Sequence, residues 1–394
     1  MRTPNRLSIV STATITGMLA LGVTAAASAQ SADAELPATT NVPKVYVFPL
    51  VGQMGTDISE TSFEVLRKDL DKAKPDIIVF RLKSADIDRN DYLKNDNPAE
   101  FGLPGEVGTY RQMLKDVRDA YRDTPQVVWV EDAVGISSLF ALGWPRMYMK
   151  SDARLFGLYR FKQMVESQWE DPDVRSKMVA AWTGIMKGLV EVGGYPREVA
   201  DALIFPENKL SVNFEGRGAK WMGDTAGVWV VDSSEEAPCG FNAQLSEDTM
   251  LSDGTADSFD DLMYLLGYRE FEKLESGEKI GEQFVKEWRK GMDECLKNME
   301  DAQETEDSVV GLGKRKGLYE KTIAIMKRYP MIEKRMEMQQ RGVNIIALEG
   351  AVDDIKKEIQ RQREAEKQGR QGGGGSSGGS GRGLGGGGMS RPRG

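Results

Sequence analysis

The chain has 394 residues, a formal net charge of −9 and no histidine. An acidic surface repels phosphate backbones and anionic lipid, so nucleic acid is excluded as an expected partner. Without imidazole there is no Ser-His-Asp triad, no Cys-His pair and no imidazole metal site, so any catalysis has to use Ser, Lys, Tyr or carboxylates. Cys239 and Cys295 are the only cysteines, and two thiols without CxxC spacing make no thiolate zinc site. No metal and no cofactor is expected.

Residues 1–29 have the three-part layout of a removable secretory signal: Arg2 and Arg6, an apolar stretch centred on Met18 to Val23, then Ala27-Ser28-Ala29 with cleavage before Gln30. This predicts an exported protein, periplasmic or secreted. Beyond residue 30 no run of eighteen apolar residues occurs, so no transmembrane segment is expected after cleavage. A linker over 30–43 leads to the first folded segment.

Residues 44–51 (KVYVFPLV) form a buried strand, and 59–73 a helix with Phe63, Leu66, Leu70 and Ala73 on one face. Residues 76–82 (DIIVFRL) make a second strand. Tyr110, Met113, Leu114, Val117 and Tyr121 mark another helix, and 126–130 (QVVWV) a third strand. Strand and helix alternating at this spacing predict right-handed βαβ units and a largely parallel sheet. A short helix over 136–143, a strand-like RMYM at 146–149, a long helix over 172–192 and a last strand at 227–232 (GVWVVD) complete an α/β domain spanning 44–235.

A second linker is expected over 236–257. From 258 to 370 the pattern is helical without strands. Phe284, Trp288, Met292, Cys295 and Met299 form one stripe; Ile345, Leu348, Val352, Ile355 and Ile359 form another at near-heptad spacing, a candidate coiled coil over 343–367. The stripes pack on the α/β domain or on a partner helix. Residues 371–394, of Gly, Ser and Arg, predict a disordered tail. In an oxidising compartment Cys239 and Cys295 either pair as a disulfide or remain two buried thiols. Asp86, Asp88 and Asn90 have the spacing of a calcium loop but lack its glycine and its closing glutamate, so they read as a solvated acidic loop.

The order of pieces KVYVFPLVGQM, DIIVFRLKSADID, VVWVEDAVGISSLFALGWPRMYMKSDARLFG and DPDVRSKMVAAWTGIMKGLVEVGGYPREVADALI resembles the ClpP/crotonase superfamily, and within it exported serine proteases of the NfeD and signal-peptide-peptidase A type. The resemblance covers roughly 44–232 and implies a Ser-Lys mechanism. A serine after the third strand attacks, a lysine takes its proton, and a Gly-Gly turn after the second strand holds the oxyanion.

This chain departs from that pattern twice. Gly135 occupies the nucleophile position and has no side chain; Ser137 and Ser138 follow, as shifted nucleophiles or as helix-start residues whose hydroxyls satisfy free N–H groups. In place of the Gly-Gly turn the chain reads Lys83-Ser84-Ala85-Asp86-Ile87, which puts a carboxylate where negative charge should develop. Lys177 lies near the family's lysine position, either as a partly buried base or as a surface lysine. The crotonase branch would use the same loops on acyl-CoA thioesters, and the same missing glycines weaken that reading.

Three functions follow: a non-catalytic exported assembly or scaffold protein, an active Ser-Lys peptidase using Ser137 or Ser138 with Lys177, or a protein that holds peptides without cutting them. Family members commonly self-assemble, so a homo-oligomer is expected. Its partner would be a peptide or another exported or membrane-associated protein.

Overall fold

The computed structural model describes residues 42–84, 104–158, 161–216 and 218–372. The expected signal peptide, the Asp86 to Asn90 loop and the residues after 372 in the expected tail lie outside these.

Strand β1 (Lys44–Val51), helix α1 (Glu60–Ala73), strand β2 (Ile77–Ser84), helix α2 (Pro104–Ala120) and strand β3 (Gln126–Val134) follow the expected alternation. Ser59 caps α1 by accepting from Ser62 N–H while Ser62 returns the favour to the Ser59 N–H, which fixes where the helix starts. After β3 come α3 (Ile136–Ala141), β4 (Met147–Met149), β5 (Arg154–Phe156), α4 (Phe161–Glu166), α5 (Pro172–Gly193) and α6 (Arg197–Ile204). Asp171 caps α5 and Pro172 opens it, the arrangement a helix start favours.

The chain then forms β6 (Leu210–Glu215), β7 (Gly218–Met222), β8 (Trp229–Asp232), β9 (Gly240–Asn242), α7 (Ala243–Asp248), β10 (Gly254–Thr255), α8 (Phe259–Leu265) and β11 (Glu272–Leu274). Helices α9 (Ser276–Gln303), α10 (Val309–Arg328), α11 (Met336–Gln340) and α12 (Ile345–Gly372) finish the described chain. Among the described residues no helix is long and apolar enough to cross a membrane.

The main sheet runs β10-β4-β3-β2-β1-β11, parallel throughout, with β5 parallel to the end of β3 and β9 antiparallel to β5. Both of its faces are covered. On one, Ile78, Phe80, Leu82, Val128 and Val130 join the large core beneath α1, α2 and α5; on the other, Ile77, Val79, Val127 and Trp129 pack with Leu262 and Met263 of α8. Burial on both faces is why these strands are apolar at nearly every position instead of alternating. Trp129 and Trp144 are buried, Trp169 stacks edge-on with Trp182, and Trp221 does so with Phe241, so these tryptophans pack against protein.

Several expectations need correction. Residues 236–257 are not a linker: β9 and β10 both enter the main sheet. The helical region also contributes a strand, β11, which pairs with β1 from Lys44↔Glu272 to Tyr46↔Leu274. The strand within 227–232 does not extend the main sheet but pairs with β6 in a separate antiparallel sheet, β7-β6-β8. The expected coiled coil over 343–367 is a helix packed inside its own chain, where Leu348 and Val352 of α12 meet Ile323 and Met326 of α10 in the cluster that holds Trp288 and Cys295. Finally, Cys239 and Cys295 are both free and buried, Cys239 in the α/β core and Cys295 among the helices, so no disulfide joins them.

Candidate functional site

Strand β3 ends at Val134 and turns sharply into α3 through Gly135, whose φ of +71° lies where side chains are disfavoured. Its N–H donates to the Phe156 carbonyl at 2.8 Å, so the turn is pinned to β5. The position at which the sequence resemblance expects a nucleophile is therefore one that the backbone reserves for glycine.

Ser137 and Ser138 are fully buried. The Ser137 hydroxyl accepts from Val134 N–H at 2.9 Å and has the carbonyls of Ser84 and Val134 as acceptors at 3.0 and 2.9 Å. It thus joins the ends of β2 and β3. The Ser138 hydroxyl donates to the Gly135 carbonyl at 2.6 Å. Neither hydroxyl satisfies a free N–H of α3, which corrects the helix-start reading: Ser137 serves the preceding strand and Ser138 a carbonyl. Ser84 is buried beside them, while Ala85, Asp86 and Ile87 lie outside the described residues.

Lys177 is exposed near the start of α5, not partly buried, and no hydrogen bond or ion pair among the described residues joins it to either serine. The structure thus brings Ser84, Gly135, Ser137 and Ser138 together and leaves Lys177 out of that group's bonding. Phe140 and Trp144 are core residues; the ring centroids of Trp144 and Phe80 lie 4.5 Å apart.

A second site escaped the sequence reading. A cavity of about 580 Å³ lies between the C-terminal ends of β1 and β2, the start of α1 and the inner face of α9. Helix α9 reaches this position because Gly277 and Gly281, one turn apart, have no side chains. A Cβ on Gly277 would stand 2.4 Å from the Val47 carbonyl oxygen, and one on Gly281 2.6 Å from Pro49.

Charged residues close both ends of the cavity. At one end Arg81 bonds Glu131, which is almost wholly buried on β3, and Glu278 of α9 at 3.1 Å; Glu278 also holds Lys273 at 2.7 Å. Burial works against the Arg81 charge, but the bonds and charges of Glu131 and Glu278 outweigh it and hold the guanidinium above its ordinary value. At the other end buried Asp57 accepts from Gln53 N–H at 2.9 Å, Trp288 Nε1 at 3.0 Å and Arg289 at 2.8 Å. The signal that could have revealed this site is charge inside two largely apolar strands, Arg81 in β2 and Glu131 in β3. Such a charge is retained in an interior only with a partner.

Compared with known proteins, the chain matches no family model and no curated protein. It is similar to solved structures of a membrane-bound stomatin-specific protease, 1510-N. A lysine variant in complex with a substrate peptide is 12% identical with a TM-score of 0.33 over 57% of this chain and 80% of that one. A serine variant is 13% identical, TM-score 0.34, over 57% and 85%. The form from Pyrococcus horikoshii, described as specific for a stomatin homolog, is 12% identical, TM-score 0.32, over 57% and 79%. Likeness at this level leaves function to be argued from this chain's own residues.

Proposed function

We propose that this chain is an exported, non-catalytic protein of the ClpP/crotonase-like kind, acting in assembly or as a scaffold for another exported or membrane-associated protein. The observation that supports it is the Ser137 hydroxyl, fully buried and held by the backbone of β2 and β3. A nucleophile needs an exposed oxygen with a base in hydrogen-bond reach. Ser137 and Ser138 have neither, Gly135 has no side chain, and Lys177 is exposed on another element. Export rests on the layout of residues 1–29, and self-assembly on the family resemblance.

The test is cleavage of casein and a mixed peptide library by the chain lacking residues 1–29, beside Ser137→Ala, Ser138→Ala and Lys177→Ala. Equal and negligible cleavage in all four supports the proposal. Cleavage by the parent that disappears in a serine variant and in Lys177→Ala would establish a peptidase instead.

A further inference from the structure

The cavity under α9 has the size of a small-ligand site and a wall of mixed character. Pro49 and Leu66 from the α/β domain and Phe284 and Val285 from α9 supply an apolar surface. Seven charged side chains also line it, and most of them are already neutralised. Arg81 and Glu278 bond each other, with Glu131 and Lys273 completing that set, and Arg289 closes on Asp57.

Three charges remain. Among the described residues Lys83 approaches only Glu131, at 3.8 Å from Oε2, and shares that carboxylate with Arg81, which bonds Oε1. Lys286 has no ion-pair partner among the described residues, and neither has Glu282 one turn before it. Two ammonium groups against one carboxylate leave the cavity with one positive charge in excess beside an apolar wall. Lys83 projects from the end of β2 and Lys286 from α9, so the two approach the cavity from separate elements.

We propose that this cavity binds a carboxylate carried on an apolar chain. The carboxylate would sit between Lys83 and Lys286 and the chain would lie on Leu66, Phe284 and Val285. Pro49, Arg81 and Lys83 belong to segments that carry the ClpP-like resemblance, but Ser137 and Ser138 do not line the cavity, so its occupancy does not depend on whether Ser137 is catalytic.

Two sources present this chemistry, a free aliphatic acid and the C-terminal end of a polypeptide. Isothermal titration of the chain lacking residues 1–29 distinguishes them with decanoate below its aggregation concentration, and with an N-acetylated alanine-leucine-valine tripeptide beside its C-terminal amide. Decanol and decylamine control for the apolar chain alone and for the opposite charge.

The expected result is one saturable site for decanoate or for the free-acid tripeptide, with the uncharged and amine controls at least roughly tenfold weaker. Lys83→Ala with Lys286→Ala should weaken binding by about tenfold or more, Glu282→Gln should tighten it, and Val285→Trp should block it by filling the space. Should Val285→Trp fail to fold, the exposed-residue variants still decide. Equal binding of decanoate and decanol, indifference to the lysine variants, or no binding of either acid would overturn the proposal.

Discussion

Trp288, in the middle of α9, donates its indole Nε1–H to Asp57 Oδ1 at 3.0 Å, across 231 residues of chain. The same carboxylate accepts from Arg289 and from Gln53 N–H, so one buried side chain fastens the C-terminal helices to the loop between β1 and α1. Removing it leaves a buried indole N–H without a partner. Asp57→Ala should cost about 2 to 4 kcal/mol in urea unfolding, and Trp288→Phe less. A double-mutant cycle should give a coupling of about 1 to 3 kcal/mol. Additive effects would show that the bond does not hold the two parts together.

The two cavity-side glycines of α9 make a prediction with a sign. Alanine is the better helix former by about 1 kcal/mol. At Gly277, however, its Cβ would meet the Val47 carbonyl at 2.4 Å and the Tyr46 ring at 2.7 Å, and neither neighbour can easily yield. Gly277→Ala should therefore destabilise by about 1 to 3 kcal/mol. Gly350 lies in α12 with nothing within 4 Å of such a Cβ, so Gly350→Ala should stabilise slightly. Thermal unfolding of the two variants side by side tests whether α9 is seated directly on β1.

Ser137 is predicted to matter for stability and not for hydrolysis. Ser137→Ala removes a buried hydroxyl that accepts from the Val134 N–H and has the Ser84 and Val134 carbonyls as acceptors, at a cost of about 1 to 3 kcal/mol. An unchanged urea midpoint would contradict the buried placement.

Stability should fall at alkaline pH. Burial pushes the Cys295 thiol from 9.0 up to about 12, and burial with the Asp71 hydrogen bond pushes the Tyr121 phenol from 10.0 up to about 12. Burial also raises Cys239, Tyr46 and Tyr195. The folded chain keeps these protons while the unfolded chain releases them. Their contribution is thus fully present below pH 9 and is lost as pH rises from about 9 towards 12. The urea midpoint should drop steadily between pH 8.5 and 11, and a flat midpoint across that range would refute the burial of these groups.

Both thiols should resist Ellman's reagent in the native chain and react in urea, with no mass difference between reduced and non-reduced protein. Cys239 and Cys295 belong to different clusters, so a disulfide recovered from the native protein would require a different arrangement of α9.

The α/β alternation was legible because buried parallel strands such as IIVF at 77–80 and amphipathic helices such as α1 carry strong, distinct patterns. The edges were not. Strands β9, β10 and β11 have three, two and three residues, too short to show any period, and they exist because β5, β4 and β1 offer them a partner. The β6–β7 hairpin was missed for a related reason: LSVNFE and GAKWM mix polar and apolar residues on a sheet that is exposed over much of its area.

At the site, the lack of a side chain where the resemblance expects a nucleophile was readable from Gly135 itself. What could not be read was the destination of the Ser137 hydroxyl, which depends on Ser84, 53 residues away. The cavity under α9 was illegible for the same reason. Its walls come from β1, β2, α1 and α9, and only the strand charges Arg81 and Glu131 hint that these segments meet.

The central claim, that neither Ser137 nor Ser138 is available for acyl chemistry, is tested most directly by treating the folded chain lacking residues 1–29 with a fluorophosphonate and measuring its intact mass. The account predicts an unmodified mass at reagent concentrations that fully label a serine peptidase run in parallel. A single stoichiometric adduct mapping to Ser137 or Ser138, and lost in Lys177→Ala, would contradict it.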